Sequence, residues 1–340
     1  MLGSQGSALA DWDPSSQHYC NFSGVSCDHQ SRVVALSMSG LSLYGSVPAE
    51  IGLLNKLINL TIAFNDLEGS LPREIANLTS LKLLNISTNC FNGSFPVEMM
   101  HRMTELEVLD AYSNYFIGPF PVELVNLKKL KYLHLGGNLF TGEVPVNYSM
   151  IETLEYLGLN CMGLIGKFSS SLARLKNLKE LHVSLGYYEK FEGGIPPELG
   201  AIESLQVLHM GSCNISGTIP RTLGILKNLR LMFLQDNRLS GNIPQELSGM
   251  VSLTALDLSN NELTGEIPES FSKLKKLSLL NLYKNNLHGQ ISPQLSGMAS
   301  LTSLDLSFNK LTGEIPESFS ELKNLSLLNV HKNNLNVQIP

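Results

Sequence analysis

Apolar residues recur along this chain in one fixed figure. An apolar opening residue is followed by apolar positions three and five further on, and usually by an asparagine at position nine of the figure. Thirteen copies begin at Val33, Leu57, Leu81, Leu106, Leu130, Leu154, Leu178, Leu205, Leu229, Leu253, Leu277, Leu301 and Leu325. They are spaced by 24 residues throughout, except for one interval of 25 and one of 27. A period of this length marks stacked units, none of which buries its apolar face alone. In Leu253-Thr-Ala-Leu256-Asp-Leu258 the apolar positions point inward from a short strand and the others point out. Stacked in register, such strands predict an α/β solenoid with a parallel sheet on its concave face.

The rest of the period follows from local chemistry. Asn261 is expected to turn inward, its amide satisfying buried N–H and C=O groups of neighbouring coils. Asn65, Asn89, Asn114, Asn138, Asn237, Asn285, Asn309 and Asn333 repeat the role; Cys213 substitutes, while Leu41, Met162 and Gly186 interrupt the ladder. Next comes a turn such as Leu263-Thr-Gly265-Glu-Ile267-Pro268. Gly265 permits a backbone other residues resist, Ile267 re-enters the core, and Pro268 stops the chain from continuing as an interior strand. The following stretch, 269–277, reads as a short helix or 3-10 turn on the convex side with one buried leucine.

Two features interrupt the regularity. Trp12 and Cys20-Asn-Phe-Ser-Gly-Val-Ser-Cys27 precede the first coil and predict a cap over its apolar end, with Cys20 bonded to Cys27. The domain reading is therefore a disulfide cap at 1–32, incomplete at its start, and thirteen coils at 33–340 without a C-terminal cap. Residues 252–291 and 300–339 are also identical at 31 of 40 positions, variable ones included, which reads as duplication of a pair of coils.

Composition removes several function classes. Twenty-four basic against 30 acidic residues give a net charge of −6, without the basic stripe nucleic acid demands or the charge that seeks an anionic membrane. No apolar run is long enough to span a bilayer, and Met1 to Ala10 lack the features of a secretory signal. Cys90, Cys161 and Cys213 are spaced for neither zinc nor disulfides and read as buried structural thiols. No nucleophile–base pair, phosphate loop or paired carboxylates stand out from the repeats, so the chain reads as no enzyme, with no cofactor.

The turn motif and the tryptophan–cysteine cap resemble the plant-specific class of leucine-rich repeats found in receptor kinases and polygalacturonase-inhibiting proteins. The chain is most similar to ectodomains of receptor kinases of the CLAVATA type. That resemblance rests on Asn21-Phe-Ser-Gly-Val-Ser-Cys27, Leu154-Glu-Tyr-Leu-Gly-Leu-Asn160, and Leu185-Gly-Tyr-Tyr188 followed by Gly193-Gly-Ile-Pro-Pro197. It implies a right-handed superhelix, extracellular, binding an extended secreted peptide of the CLE class on its concave face. A co-receptor leucine-rich-repeat protein is a further implied partner, its site expected among later coils that this chain lacks. Members also carry a membrane helix and a kinase, so the chain resembles a truncated ectodomain with no membrane contact of its own.

Read without the family, the outward strand positions differ along the chain. They are small or consensus-like at Ser37 and Ser39, at Asp257 and Ser259, and at Asp305 and Ser307. From coil four to coil nine they become Asp110, Tyr112, Tyr132, His134, Tyr156, Asn160, Glu180, His182, Tyr187, Tyr188, His209, Phe233, Gln235 and Asp236. Rigid rings beside orienting polar groups suit a peptide surface, and all are expected on one face. The three histidines share a column, but two imidazoles on an open sheet lack the further ligands zinc prefers, so no metal is assigned. Glycan acceptors stand at Asn21, Asn59, Asn77, Asn85, Asn92, Asn147, Asn214 and Asn324; Asn59 and Asn85 face the concave side in coils two and three. The alternatives to a peptide-binding ectodomain are a secreted inhibitor of a pathogen's cell-wall hydrolase and a soluble decoy of the peptide receptor.

Overall fold

The computed structural model describes residues 3–4, 9–13, 15–160, 163–184 and 192–336. The chain divides into two compact units, Met1–Gly163 and Leu164–Pro340. In each, every coil contributes one three-residue strand where the periodic figure begins, except that the first coil's is longer. The first unit stacks Val33–Ser37, Asn59–Thr61, Leu83–Asn85, Val108–Asp110, Tyr132–His134 and Tyr156–Gly158 in parallel. Val25–Cys27 joins this sheet antiparallel to Val33–Ser37, as the hairpin that starts it. The second unit stacks Glu180–His182, Val207–His209, Leu231–Phe233, Ala255–Asp257, Leu279–Asn281, Ser303–Asp305 and Leu327–Asn329. Register runs column on column: Tyr132 opposes Tyr156, and His182 opposes His209.

The inward leucines explain why the units cohere. Leu109, Leu133, Leu157, Leu208, Leu256 and Leu304 are fully buried against their counterparts one coil away. Each such side chain contributes about 1.5–3 kcal/mol of transfer free energy, realised only when a neighbouring coil covers it. In coils three to five the core also carries stacked rings: Phe91, Phe116 and Phe140 lie 6.4 Å apart in succession, nearly parallel. In the last coil the equivalent core positions, Leu325, Leu328 and Val330, are only half-buried.

The asparagine ladder forms as expected. The Asn261 Oδ1 accepts the Leu239 N–H of the preceding coil at 3.0 Å, and its Nδ2 donates to Leu234, Leu258 and Ser259 carbonyls. Cys213 holds its place in the ladder: its Sγ lies 2.9 Å from the Val183 carbonyl, and its own N–H donates to Asn237. Met162 and Gly186 lie outside the described residues.

Three expectations need correction. The turn motif does more than turn, because residues such as Glu262–Thr264 pair with Arg238–Asn242 in a further parallel sheet. That pairing joins neighbouring coils and follows no alternation within either. Gly265 has φ +78°, a backbone conformation that favours glycine at the turn. The convex stretches are five-residue 3-10 helices, with Glu98–Arg102 as the one α-helix among the described residues. In 269–277 three apolar side chains are buried, Phe271, Leu274 and Leu277, where one leucine was expected. Cys90 is half-buried, since the chain enters an outer strand there; Cys213 is buried and Cys161 lies outside the described residues.

The cap is built from the anticipated parts. Cys20 and Cys27 are bonded, Trp12 stacks on Phe22 at 5.5 Å, and its indole N–H donates to the Ser23 carbonyl. Trp12 overlies Leu36, Met38 and Leu54 with a cavity of about 230 Å³ between them among the described residues.

Candidate functional site

Strand pleating puts three columns of side chains on the open face of each sheet. In the first unit these columns carry a cluster in coils four to six. Tyr132 and Tyr156, opposed in register, stack at 4.2 Å and 13°. Tyr112 stacks on His134 of the next coil at 4.5 Å and 21°. The imidazole is thereby clasped between a parallel ring and the edges of the tyrosine pair.

Polar contacts complete the enclosure. The Asn160 Oδ1 lies 3.3 Å from His134 Nε2. Nδ1 faces the Tyr132 hydroxyl at 3.4 Å and the Asp110 Oδ1 at 3.8 Å. Burial pushes the Asp110 carboxyl above the usual aspartate value, against the opposing pull of the Tyr112 N–H it accepts. Two glycines make this packing feasible. A Cβ on Gly158 would sit 2.3 Å from His134 Cδ2, and one on Gly136 would meet the Asn160 carbonyl at 2.8 Å.

The second unit carries its own cluster in coils seven to nine. His182 meets His209 edge-on at 6.0 Å, and His209 meets Phe233 in the same way at 5.6 Å. Glu180 pairs with His182 Nε2 at 3.0 Å; both side chains keep solvent access, which limits the pair to under about 1 kcal/mol. Burial pushes the His209 imidazole below its ordinary value, and His182 adds to the effect. The Gln235 Oε1 is buried with no hydrogen-bond partner among the described residues. An unmade bond of this kind costs about 1–3 kcal/mol and is relieved by any donor brought to the face.

Most of the expected site residues thus share the open sheet face of their own unit. Asp236 departs from it: it occupies the turn after the strand with φ 58°, where its carboxylate accepts from the Asn260 amide. Tyr187 and Tyr188 lie outside the described residues. His182 and His209 are neighbours, yet among the described residues no group of three metal-binding side chains forms. Sequence reasoning missed Gly158 and Gly136. Their signal was present, as glycines in columns that elsewhere carry side chains.

The acceptor asparagines are distributed as the columns require. Asn59 is exposed in the second coil's strand, and Asn85 is half-buried in the third, its Oδ1 accepting from Ser87. The described strands of coils four to nine carry none.

Comparison with known proteins agrees with this architecture. Residues 1–28 match the leucine rich repeat N-terminal domain, and residues 203–263 and 300–322 match leucine rich repeat models. The crystal structure of a TDR receptor aligns with TM-score 0.86 and 36% identity, covering 90% of this chain and 52% of that one. The plant peptide hormone receptor RGFR1, solved in complex with RGF2, aligns with TM-score 0.78 and 33% identity over 94% of this chain and 54% of its own. The receptor protein-tyrosine kinase CEPR1 of Arabidopsis thaliana is 36% identical over 132 residues, which are 38% of this chain and 14% of CEPR1. The chain therefore spans about half the length of the solved receptors it matches. No helix among the described residues is long and apolar enough to cross a membrane.

Proposed function

We propose that this chain, built of leucine-rich repeats and similar to plant receptor ectodomains, is an extracellular ectodomain segment whose sheet face holds an extended secreted peptide of the CLE class. The observation that carries this reading is the cluster of coils four to six, where stacked tyrosines enclose the Asp110–His134 pair. The stacks and the enclosing contacts limit rotamer freedom, so a ligand ordering these rings forfeits little of their entropy. Strands about 4.8 Å apart, against about 3.3 Å per residue of an extended peptide, give each three-coil cluster about four ligand residues. The ligand crosses the strands, so its backbone pairs with side chains such as Asp110 and Asn160 and not with a strand edge. RGFR1 was solved with a peptide hormone bound, which supports a peptide as the ligand class.

Calorimetric titration of a panel of secreted plant peptides against wild type, Tyr156→Ala and Asp305→Ala tests the reading. Loss of a buried aromatic anchor typically costs at least about 2 kcal/mol, roughly a thirtyfold fall in affinity. Tyr156→Ala is expected to show that fall and Asp305→Ala to bind as wild type. Equal affinity of wild type and Tyr156→Ala contradicts the placement, and a CLE-class peptide binding no better than unrelated ones contradicts the ligand class.

A further inference from the structure

A third aromatic group stands in coils eleven to thirteen. Phe308 meets Tyr283 at 5.3 Å and His331 at 4.9 Å, edge to face in both cases. Its ring stays 40% exposed, and its backbone has φ 55°. The same turn position has positive φ in every described coil, where it is otherwise mostly glycine, serine, asparagine, aspartate or lysine. A bulky side chain is strained in that region of backbone space, where glycine or a short polar residue sits more easily. Phe64 is the other phenylalanine in this column; it is more exposed and has no ring neighbour among the described residues.

Charge surrounds the ring on both sides. The turns of Lys284, Phe308 and Lys332 are consecutive, since the Asn285 N–H donates to the Phe308 carbonyl and the Asn309 N–H to the Lys332 carbonyl. Both lysines are exposed, and neither makes an ion pair among the described residues. The carboxylates of the neighbouring column are already engaged: Asp257 accepts from Ser259 and Asn281, and Asp305 from Ser307 and Asn329.

The duplicated coils point to the same place. Residues 252–291 and 300–339 differ at nine positions. Three of those differences replace Asn260 by Phe308, Glu262 by Lys310 and Tyr283 by His331. The second copy thus gains a strained exposed ring and a positive charge within three residues of one another.

We propose that Tyr283, Phe308 and His331, flanked by Lys284 and Lys332, form a docking site for an acidic polypeptide segment bearing one large apolar side chain. The apolar group packs on the exposed face of Phe308, and the segment's carboxylates pair with the two lysines. The site is independent of the peptide face in coils four to six.

Fluorescence anisotropy with the full chain tests it, using two labelled dodecapeptides, each with a single tryptophan, one flanked by glutamates and the other by lysines. Phe308→Asn installs the residue of the first copy, which suits the positive φ, so folding is retained. The acidic probe is expected to bind at least about tenfold more tightly than the basic one. Phe308→Asn is expected to lose about tenfold or more of that affinity with an unchanged melting temperature. The double variant Lys284→Glu/Lys332→Glu is expected to abolish the preference for acid, and Tyr156→Ala to leave it intact. Equal binding of the two probes overturns the proposal. So does a Phe308→Asn protein that binds as wild type, and one that also melts earlier assigns the ring to packing alone.

Discussion

The open faces of coils four to six and of coils ten to thirteen rest on the same frame and spend their polar groups differently. In the later coils Asp257 and Asp305 are each taken up by a serine of the same coil and an asparagine of the next, so the carboxylates of that face are satisfied within it. In the earlier coils Asp110 receives one backbone N–H and lies beside an imidazole enclosed by tyrosines, with its charge penalised by burial. Both faces stand on fully buried leucines and on inward asparagines such as Asn138 and Asn261. Function in such a solenoid is therefore written in columns that contribute little to folding, and the frame carries the stability.

The largest expected effect tests the shared frame. Asn138→Ala in the first unit and Asn261→Ala in the second should each cost about 3 kcal/mol, because each strands a buried N–H, that of Phe116 or Leu239, along with several carbonyls. Denaturant unfolding followed by circular dichroism should give similar losses for the two. A much smaller loss in one unit would show that the frame is not equivalent across the comparison.

Gly158→Ala should sharpen the contrast from the other side. The added methyl meets His134 Cδ2 and Tyr156 Cε1, whereas φ at this position is not in the left-handed region. Peptide affinity is expected to fall roughly tenfold while the protein still folds, because ring positions are displaced and the core is untouched. Unchanged affinity would separate the ring stacks from ligand recognition.

Asp110→Asn and His209→Gln test the electrostatics, with smaller effects. The Asp110 carboxyl titrates above its ordinary value, so its neutral form stabilises the fold below about pH 3.8 and that contribution is lost as pH rises through the raised pKa. Asparagine keeps the neutral shape, so the variant should be more stable than wild type at pH 7 and equal to it in acid. His209 titrates below its ordinary value, so its contribution is complete above about pH 6.5 and is lost as pH falls through the lowered pKa. His209→Gln should accordingly flatten the decline of melting temperature between pH 6.5 and 5, where His182, itself paired with Glu180, also faces that ring. A wild-type melting temperature that stays constant over that range would remove His209 from the account.

Much of this architecture was legible because its causes are periodic. The strand positions follow from Leu253-x-x-Leu256-x-Leu258 and its relatives, and the ladder from asparagines at one phase of the period. The second set of strands, such as Glu262–Thr264, was not legible, because its pairing partners lie a full coil away and neither strand alternates. The candidate face was half legible. Its columns could be read down the sequence, but not that Tyr112 would stack on His134 while Tyr132 stacked on Tyr156, since that depends on rotamers and on the space Gly158 leaves. Asp236 was misplaced because the strand ends at Phe233 and is followed by a turn the apolar figure does not mark. Phe308 escaped attention for the same reason: it lies in the turn column, outside the strand positions that were compared.

Photo-cross-linking tests the central claim most directly. A bound CLE-class peptide carrying a benzophenone at successive positions should label the open face of coils four to six, at tyrosines such as 112, 132 and 156, or that of coils seven to nine, near His209 and Phe233, while sparing Asp257, Ser259, Asp305 and Ser307. Labelling confined to the self-satisfied face of coils ten to thirteen, or to the convex 3-10 helices, would contradict it.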